Sequence, residues 1–282
     1  KKLRLKTPTV KYTSSKNKIS VKGNVLAELV KGTIFAVSQI EGTRPILTGI
    51  NMSVNDGYLQ FVAIDGYRLA IRREKVATEN NVSFIMPGKA VNEVVKLIND
   101  DSEDIDINIG SKLVAFTVDG YTFISRVFEG EFVNYKKTIP DQYKQRLFIN
   151  TRDLIDVIER ISIIISDSFS TPVRCIVNED KILFSCATAI GRASEEYGIS
   201  LEGEPFEIGL NSRYLLDALR VIDDENINIY GGRYGLSGKN TTPNDIYNVY
   251  KIKLNAKMHQ LSFQTVIIMW KLQEATRMKS SF

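Results

Sequence analysis

The hydrophobic positions of this chain switch between a period of two and a period near 3.6, and the order of switching occurs twice. Ile19 and Val21 alternate with polar residues, the mark of a half-buried strand. Leu26, Leu29, Val30 and Val37 then follow at helical spacing and predict a helix with one apolar face. The same order returns with Leu147 and Ile149, followed by Leu154, Val157, Ile158 and Ile165, each helical position 128 residues after its counterpart. Asn55-Asp56-Gly57 predicts a hairpin turn before the strand Tyr58–Ala63, and Asn178-Glu179-Asp180 predicts one before Lys181–Cys186. A second helix is predicted from Val91, Val94, Val95 and Ile98, and again from Leu215, Ala218, Leu219 and Ile222, now at an offset of 124 residues. An acidic turn follows each helix, and then an alternating strand, Ile105–Ile109 or Ile227–Tyr230.

The pattern therefore contains two diverged copies of one plan, each strand–helix–strands twice over. The fold class it predicts is α+β, with helices on one face of antiparallel sheets. The expected domains are 16–140 and 141–254, joined by the short polar linker Pro140–Arg146, with 255–282 as a C-terminal tail.

Composition narrows what these domains do. At 282 residues the chain has room for two domains of ordinary size. The apolar run Val266–Trp270 is far shorter than the ~20 residues a spanning helix needs. The basic start Lys1–Lys6 is not followed by a signal-peptide core, so a cytoplasmic location and no membrane partner are expected. Cys175 and Cys186 lie in apolar, strand-like segments without Cys/His spacing, and read as buried reduced thiols rather than metal ligands. The single histidine, His259, has no nucleophile or acid beside it. Gly231–Asn240 lacks the spacing of a phosphate loop and the hydroxyl after Lys239. The acidic run Asp100–Asp106 lacks the central Gly and final Glu of a calcium loop. Neither a cofactor, a metal nor a catalytic group is expected.

Net charge is only +4, from 37 basic and 33 acidic residues. On the second helix of each copy, Lys89, Glu93 and Lys96 recur as Arg213, Asp217 and Arg220 at the same spacing. Two readings stand. One is a solvated face with intrahelical ion pairs; the other is a row of cations set to touch phosphates without reading sequence.

The segment Phe61–Ala70, containing Asp65-Gly66-Tyr67-Arg68-Leu69-Ala70, resembles the second domain of bacterial beta sliding clamps, the beta subunits of DNA polymerase III. Phe35–Ser38, Arg44–Gly49, Pro87-Gly88-Lys89 and Phe128–Tyr135 agree in order and spacing, and Phe206–Asp217 resembles the third domain. The resemblance covers about residues 15–254 and implies the DNA clamp, or processivity-factor, fold. It implies a non-catalytic ring that encircles duplex DNA, with helices inside and sheets outside. The replicative polymerase and the clamp loader would dock through short clamp-binding peptides. DNA-facing positions would be Lys31, Lys89, Lys96, Arg152, Arg213 and Arg220.

Carried over residue by residue, the peptide cleft would take Arg44, Leu47, Ile64, Gly66, Tyr67, Arg68 and Leu69 from the second domain. Val133, Lys137 and Thr138 would come from the segment between domains. Asn211, Tyr214, Val249, Tyr250, Ile252 and Lys253 would come from the third, with Phe169 in a loop whose length differs by one residue. Leu69 and Val249 read equally as core residues, and Arg68 as an ion-pair partner of Asp65.

Two departures shape the expectation. Lys1–Ser15 would be a remnant of a preceding clamp domain, so the family's homodimeric ring is not expected and the chain would be monomeric or atypically associated. The last family strand is placed at Ile246–Leu254, leaving a tail in which Gln260–Phe263 resembles a shortened clamp-binding peptide, a length at which chance matches are common. The alternatives are a fragment that only docks peptides, and an enzyme using carboxylates or the Arg44 and Arg68 pair on a small anionic substrate.

Overall fold

The computed structural model describes residues 17–39, 44–78, 81–99, 104–139, 144–165, 171–231, 234–235, 246–250 and 263–271; the last three stretches and residues 137–138 are described by their backbone alone. The first repeat runs β1 (Asn17–Lys22), α1 (Gly23–Lys31), β2 (Gly49–Asn55), β3 (Tyr58–Ile64), β4 (Arg68–Lys75), β5 (Val82–Pro87), α2 (Gly88–Val95), β6 (Asp104–Ile109), β7 (Leu113–Val118) and β8 (Tyr121–Arg126). The second runs β9 (Gln145–Asn150), α3 (Thr151–Ser162), β10 (Val173–Val177), β11 (Lys181–Thr188), β12 (Gly191–Gly198), β13 (Ser200–Glu202), β14 (Phe206–Leu210), α4 (Ser212–Leu219), β15 (Asn226–Gly231), β16 (Tyr234–Gly235), β17 (Ile246–Tyr250) and β18 (Phe263–Lys271).

Among the described residues all strand pairs are antiparallel. The first repeat builds β1-β6-β7-β8 and β4-β3-β2-β5. The second builds β12-β11-β10-β14, in the same relative order as β4-β3-β2-β5, and β13-β9-β15, in which β9 and β15 pair as β1 and β6 do and β13 is an addition. The β2–β3 hairpin closes through Asp56 and Gly57, both at positive φ (52° and 74°). This pair suits the right-handed twist of the strands, and it is why Asp-Gly is the residue choice there.

Helices and sheets bury matching faces. In the first repeat Leu26, Leu29 and Val30 of α1 and Val91 and Val94 of α2 close over Ile19, Met52, Phe61 and Ile107. In the second, Leu154, Val157 and Ile158 of α3 and Leu215 and Leu219 of α4 close over Leu147, Cys175, Phe184 and Ile227. Phe35 is partly buried against both cores. The helices are shorter than their apolar patterns suggest. Val37 is buried but lies after the 3-10 turn Ile34–Ala36, and Ile98, Ile165 and Ile222 also follow their helix ends. Apolar periodicity records which residues face the core and cannot record where the backbone leaves the helix.

The segment expected to be a C-terminal tail enters the fold. β18 pairs with β17 on one side and with β4 on the other, giving the seven-stranded sheet β16-β17-β18-β4-β3-β2-β5 that joins the repeats. The first repeat places three strands after its acidic turn, namely β6, β7 and β8. The second has β15, the two-residue β16, β17 and β18 there, so a final strand at Ile246–Leu254 stopped one strand short.

Candidate functional site

Two surfaces meet where the repeats join: a helical face, and the opposite face of the seven-stranded sheet. On the helical face α1 packs on α2 and α3 on α4, and Lys31 at the end of α1 reaches Asp223 beyond α4 at 3.3 Å. Lys31, Lys89, Lys96, Arg152, Arg213 and Arg220 are all exposed. Lys96 pairs with Glu93 at 2.6 Å and Arg152 with Asp156 at 3.1 Å, each within a turn or so of its own position, whereas Arg220 reaches across to Glu159 of α3 at 2.8 Å. Exposed pairs of this kind stabilise by ~1 kcal/mol at most and exchange partners readily. Asp217 departs from the expected intrahelical pairing with Arg213 and Arg220. It turns to the other repeat and meets Arg68 at 2.7 Å.

Arg68 ties several elements of the junction together. Asp65 opens a tight turn, accepting the backbone N–H groups of Tyr67 and Arg68 with Oδ1, while Gly66 takes a positive φ of 97°. The other oxygen, Oδ2, accepts from Arg68 Nε at 3.0 Å. One guanidinium N–H group donates to Asp217 and another to the carbonyl of Phe35. The guanidinium lies 4.4 Å from the ring centre of Tyr214 and 5.4 Å from that of Phe35, at cation–π range. Tyr67 and Tyr214 stand with ring centres 6.0 Å apart. Burial raises the Tyr214 phenol above its ordinary pKa, and the Asp65 charge adds to the rise.

On the sheet's outer face, Val62, Ile64, Leu69, Ile71 and Tyr135 form a third cluster, covered by the partly buried Leu47, Phe132 and Ile139. Register extends this apolar strip toward the second repeat. Leu69 is opposite Ile267 and Val249 opposite Met269, and residues two apart on a strand share a face, so all four positions lie on this side. In the other direction along β3 and β4 the face turns polar. An open cleft of about 720 Å³ includes Ser53, Gln60, Arg73 and Ser83. The Gln60 side-chain amide donates to the Tyr135 hydroxyl at 2.7 Å. Tyr135 titrates above its ordinary value because it is buried, an effect partly countered by this bond.

The structure brings most of the expected cleft residues to this junction, in roles the sequence did not always indicate. Arg44 is exposed, Leu47 half-buried, Gly66 exposed, and Tyr67 and Val133 are 56% and 39% exposed. Ile64 and Leu69 belong to the outer-face cluster, where Leu69 is 1% exposed and is a core residue rather than a lining one. Asn211 is not a free polar anchor; it is buried and caps α4, accepting the Tyr214 N–H. Arg68 is likewise engaged throughout, and the reading of it as an ion-pair partner of Asp65 holds. Lys137 and Thr138 lie in the 3-10 turn Tyr135–Thr138. Val249 and Tyr250 lie on β17, which β18 separates from β4. Phe169, Ile252 and Lys253, and Gln260–Ser262 of the peptide-like segment, lie outside the described residues; Phe263 begins β18, opposite Arg73. The residues that pattern reading missed are Phe35, Asp217 and the β18 positions 267–269. The apolar run Val266–Trp270 was the available signal for β18.

Residues 20–134 match the family model of the DNA polymerase III beta subunit, central domain, and residues 136–230 match that of its C-terminal domain. The chain belongs to the DNA polymerase III beta subunit family. Among curated relatives, the beta sliding clamp of Staphylococcus epidermidis is 34% identical over 225 residues, which is 79% of this chain and 59% of the relative. That of Staphylococcus aureus is 34% identical over 227 residues, with the same shares of each chain. The chain thus spans about three fifths of the length of these curated relatives. The crystal structure of the DNA polymerase sliding clamp from Bacillus subtilis superposes with a TM-score of 0.82 at 26% identity, covering 94% of this chain and 67% of that one. The fold is the sliding-clamp fold, two of its repeated domains in tandem. Among the described residues no helix is long and apolar enough to cross a membrane, and no group of three or more His, Cys, Asp or Glu is placed to hold a metal.

Proposed function

We propose that this chain acts as part of a beta sliding clamp, a non-catalytic processivity factor that follows duplex DNA and tethers partners through a peptide groove. The observation that carries the reading is the division of labour between the two faces at the junction. Exposed cations sit on the helices of one face; on the other lies an apolar cluster of the first repeat, and backbone register carries its sheet face on across β18 and β17. Lys31, Lys89, Lys96, Arg152, Arg213 and Arg220 would meet phosphates without reading bases. Their acidic neighbours keep that grip shallow, which suits movement along the duplex. The polymerase and the clamp loader would dock on the outer face, and the protein would work in the cytoplasm at the nucleoid. The domain division 16–140 and 141–254 belongs to this reading, with β18 added to the second domain.

Leu47, Val133 and Tyr67 would receive the apolar residues of a partner peptide, and positions 249, 267 and 269 would form the far wall. An enzyme working through Arg44 and Arg68 is disfavoured, because Arg68 is buried and already engaged by two carboxylates and a carbonyl. Titration of the full chain with the peptide Gln-Leu-Ser-Leu-Phe tests the docking claim. Leu47→Asp places a charge in the groove without emptying the core, and should weaken binding by about tenfold or more. Equal affinity in the variant, or none in the native chain, would remove the claim.

A further inference from the structure

The guanidinium of Arg68 joins three elements from two repeats: the Asp65 turn with β4, the Phe35 turn, and α4 through Asp217. Side-chain exposures of 7%, 11% and 27% for Arg68, Asp65 and Asp217 place this cluster largely out of water. An ion pair in such a place contributes little net stability, because desolvation opposes the attraction; its best-attested use is to fix one geometry over its neighbours. A second ion pair between the repeats, Lys31–Asp223, is exposed and weak by comparison. Asp217 is thus the group through which the buried charge of the first repeat holds α4.

α4 also carries Tyr214, whose ring covers Arg68 and faces Tyr67 at 6.0 Å. The position of α4 therefore sets how the two tyrosines stand at the edge of the outer-face strip. We infer that Asp217 is a positioning residue: through Arg68 it fixes the Tyr67–Tyr214 pair, and with it the width of the partner groove, without touching the partner. This rests on the docking reading above. Asp217→Ala leaves Arg68 with one carboxylate and frees α4 to shift, whereas Asp217→Asn keeps an acceptor at the same place and should lose less.

The experiment measures binding of labelled Gln-Leu-Ser-Leu-Phe to the full chain and to both variants. Val157→Ala, a cavity variant in the second core, is the control for general loss of stability. Asp217→Ala should weaken binding by about tenfold, Asp217→Asn by about threefold, and Val157→Ala not at all despite a lower melting temperature. Native affinity in Asp217→Ala, or equal losses in Asp217→Ala and Val157→Ala, overturns the inference and leaves the docking reading standing. If the native chain binds no peptide, the docking reading fails, and hydrogen exchange at the Tyr67 and Arg68 amides decides the rest. Faster exchange in Asp217→Ala keeps the positioning role for the tyrosine pair alone, and unchanged exchange removes it.

Discussion

The two repeats share an architecture and support their helices by different means. In the second, Asn150 caps α3 by accepting the N–H groups of Arg152 and Asp153, and Asn211 caps α4. In the first, the corresponding places hold Lys22 and Pro87, and neither side chain caps its helix. The backbone does not account for the difference. Lys22 has φ and ψ of −62° and 142°, and Asn150 has −70° and 132°, so both chains enter their helices alike. The first repeat instead anchors α1 by packing, where Leu29 and Val30 are almost fully enclosed. Helix position in this fold is thus set by the apolar face, and capping is a local addition that either repeat can gain or lose.

Three measurements bear on this comparison. The largest effect concerns chemistry found only in the second repeat. Burial pushes the Cys175 thiol up to about 12, from an ordinary value of 9.0. The folded state holds the neutral thiol while the unfolded chain ionises, so this contribution is whole below pH 9 and is lost as pH rises toward 12. At pH 10.5 the native chain should lose about 2 kcal/mol relative to Cys175→Ala, beyond their difference at pH 7. Denaturant midpoints at the two pH values check this, and parallel curves would refute it. Next, Asn150→Ala removes the α3 cap and should lower stability by about 1 kcal/mol. Calorimetry should show the loss in the second repeat, and a loss shared evenly would mean the repeats unfold as one. The smallest effect is the converse substitution, Lys22→Asn, which offers α1 a cap. The gain should stay below about 0.5 kcal/mol, because Asn24 Oδ1 already accepts the Val25 N–H. A gain as large as the Asn150→Ala loss would show that packing does not dominate α1.

Much of the fold was legible because periodicity reports burial. Ile19, Leu26, Leu154 and Ile227 each fell where the pattern put them, and Asp56-Gly57 marked its hairpin by backbone need alone. What was not legible depended on distance in sequence. The intrahelical reading of Asp217 was sound for an isolated helix and yielded to a buried cation from the other repeat. Leu69 looked equally suited to groove or core, since both want an apolar residue on the same face. β18 was hidden because its apolar run resembles any strand. Its place follows from pairing with β4, a partner far away in sequence that no local pattern names.

The pairing of β18 with β4 has a consequence in time. Arg68 and Ile268 stand opposite each other on neighbouring strands although about 200 residues of chain separate them. During synthesis at ~5–20 residues per second, β4 would wait on the order of ten seconds or more for its partner, its edge bare meanwhile. A bare edge is a template for other strands. The charged stretch Arg72-Arg73-Glu74-Lys75 at its far end is the kind of sequence that discourages such pairing until β18 arrives.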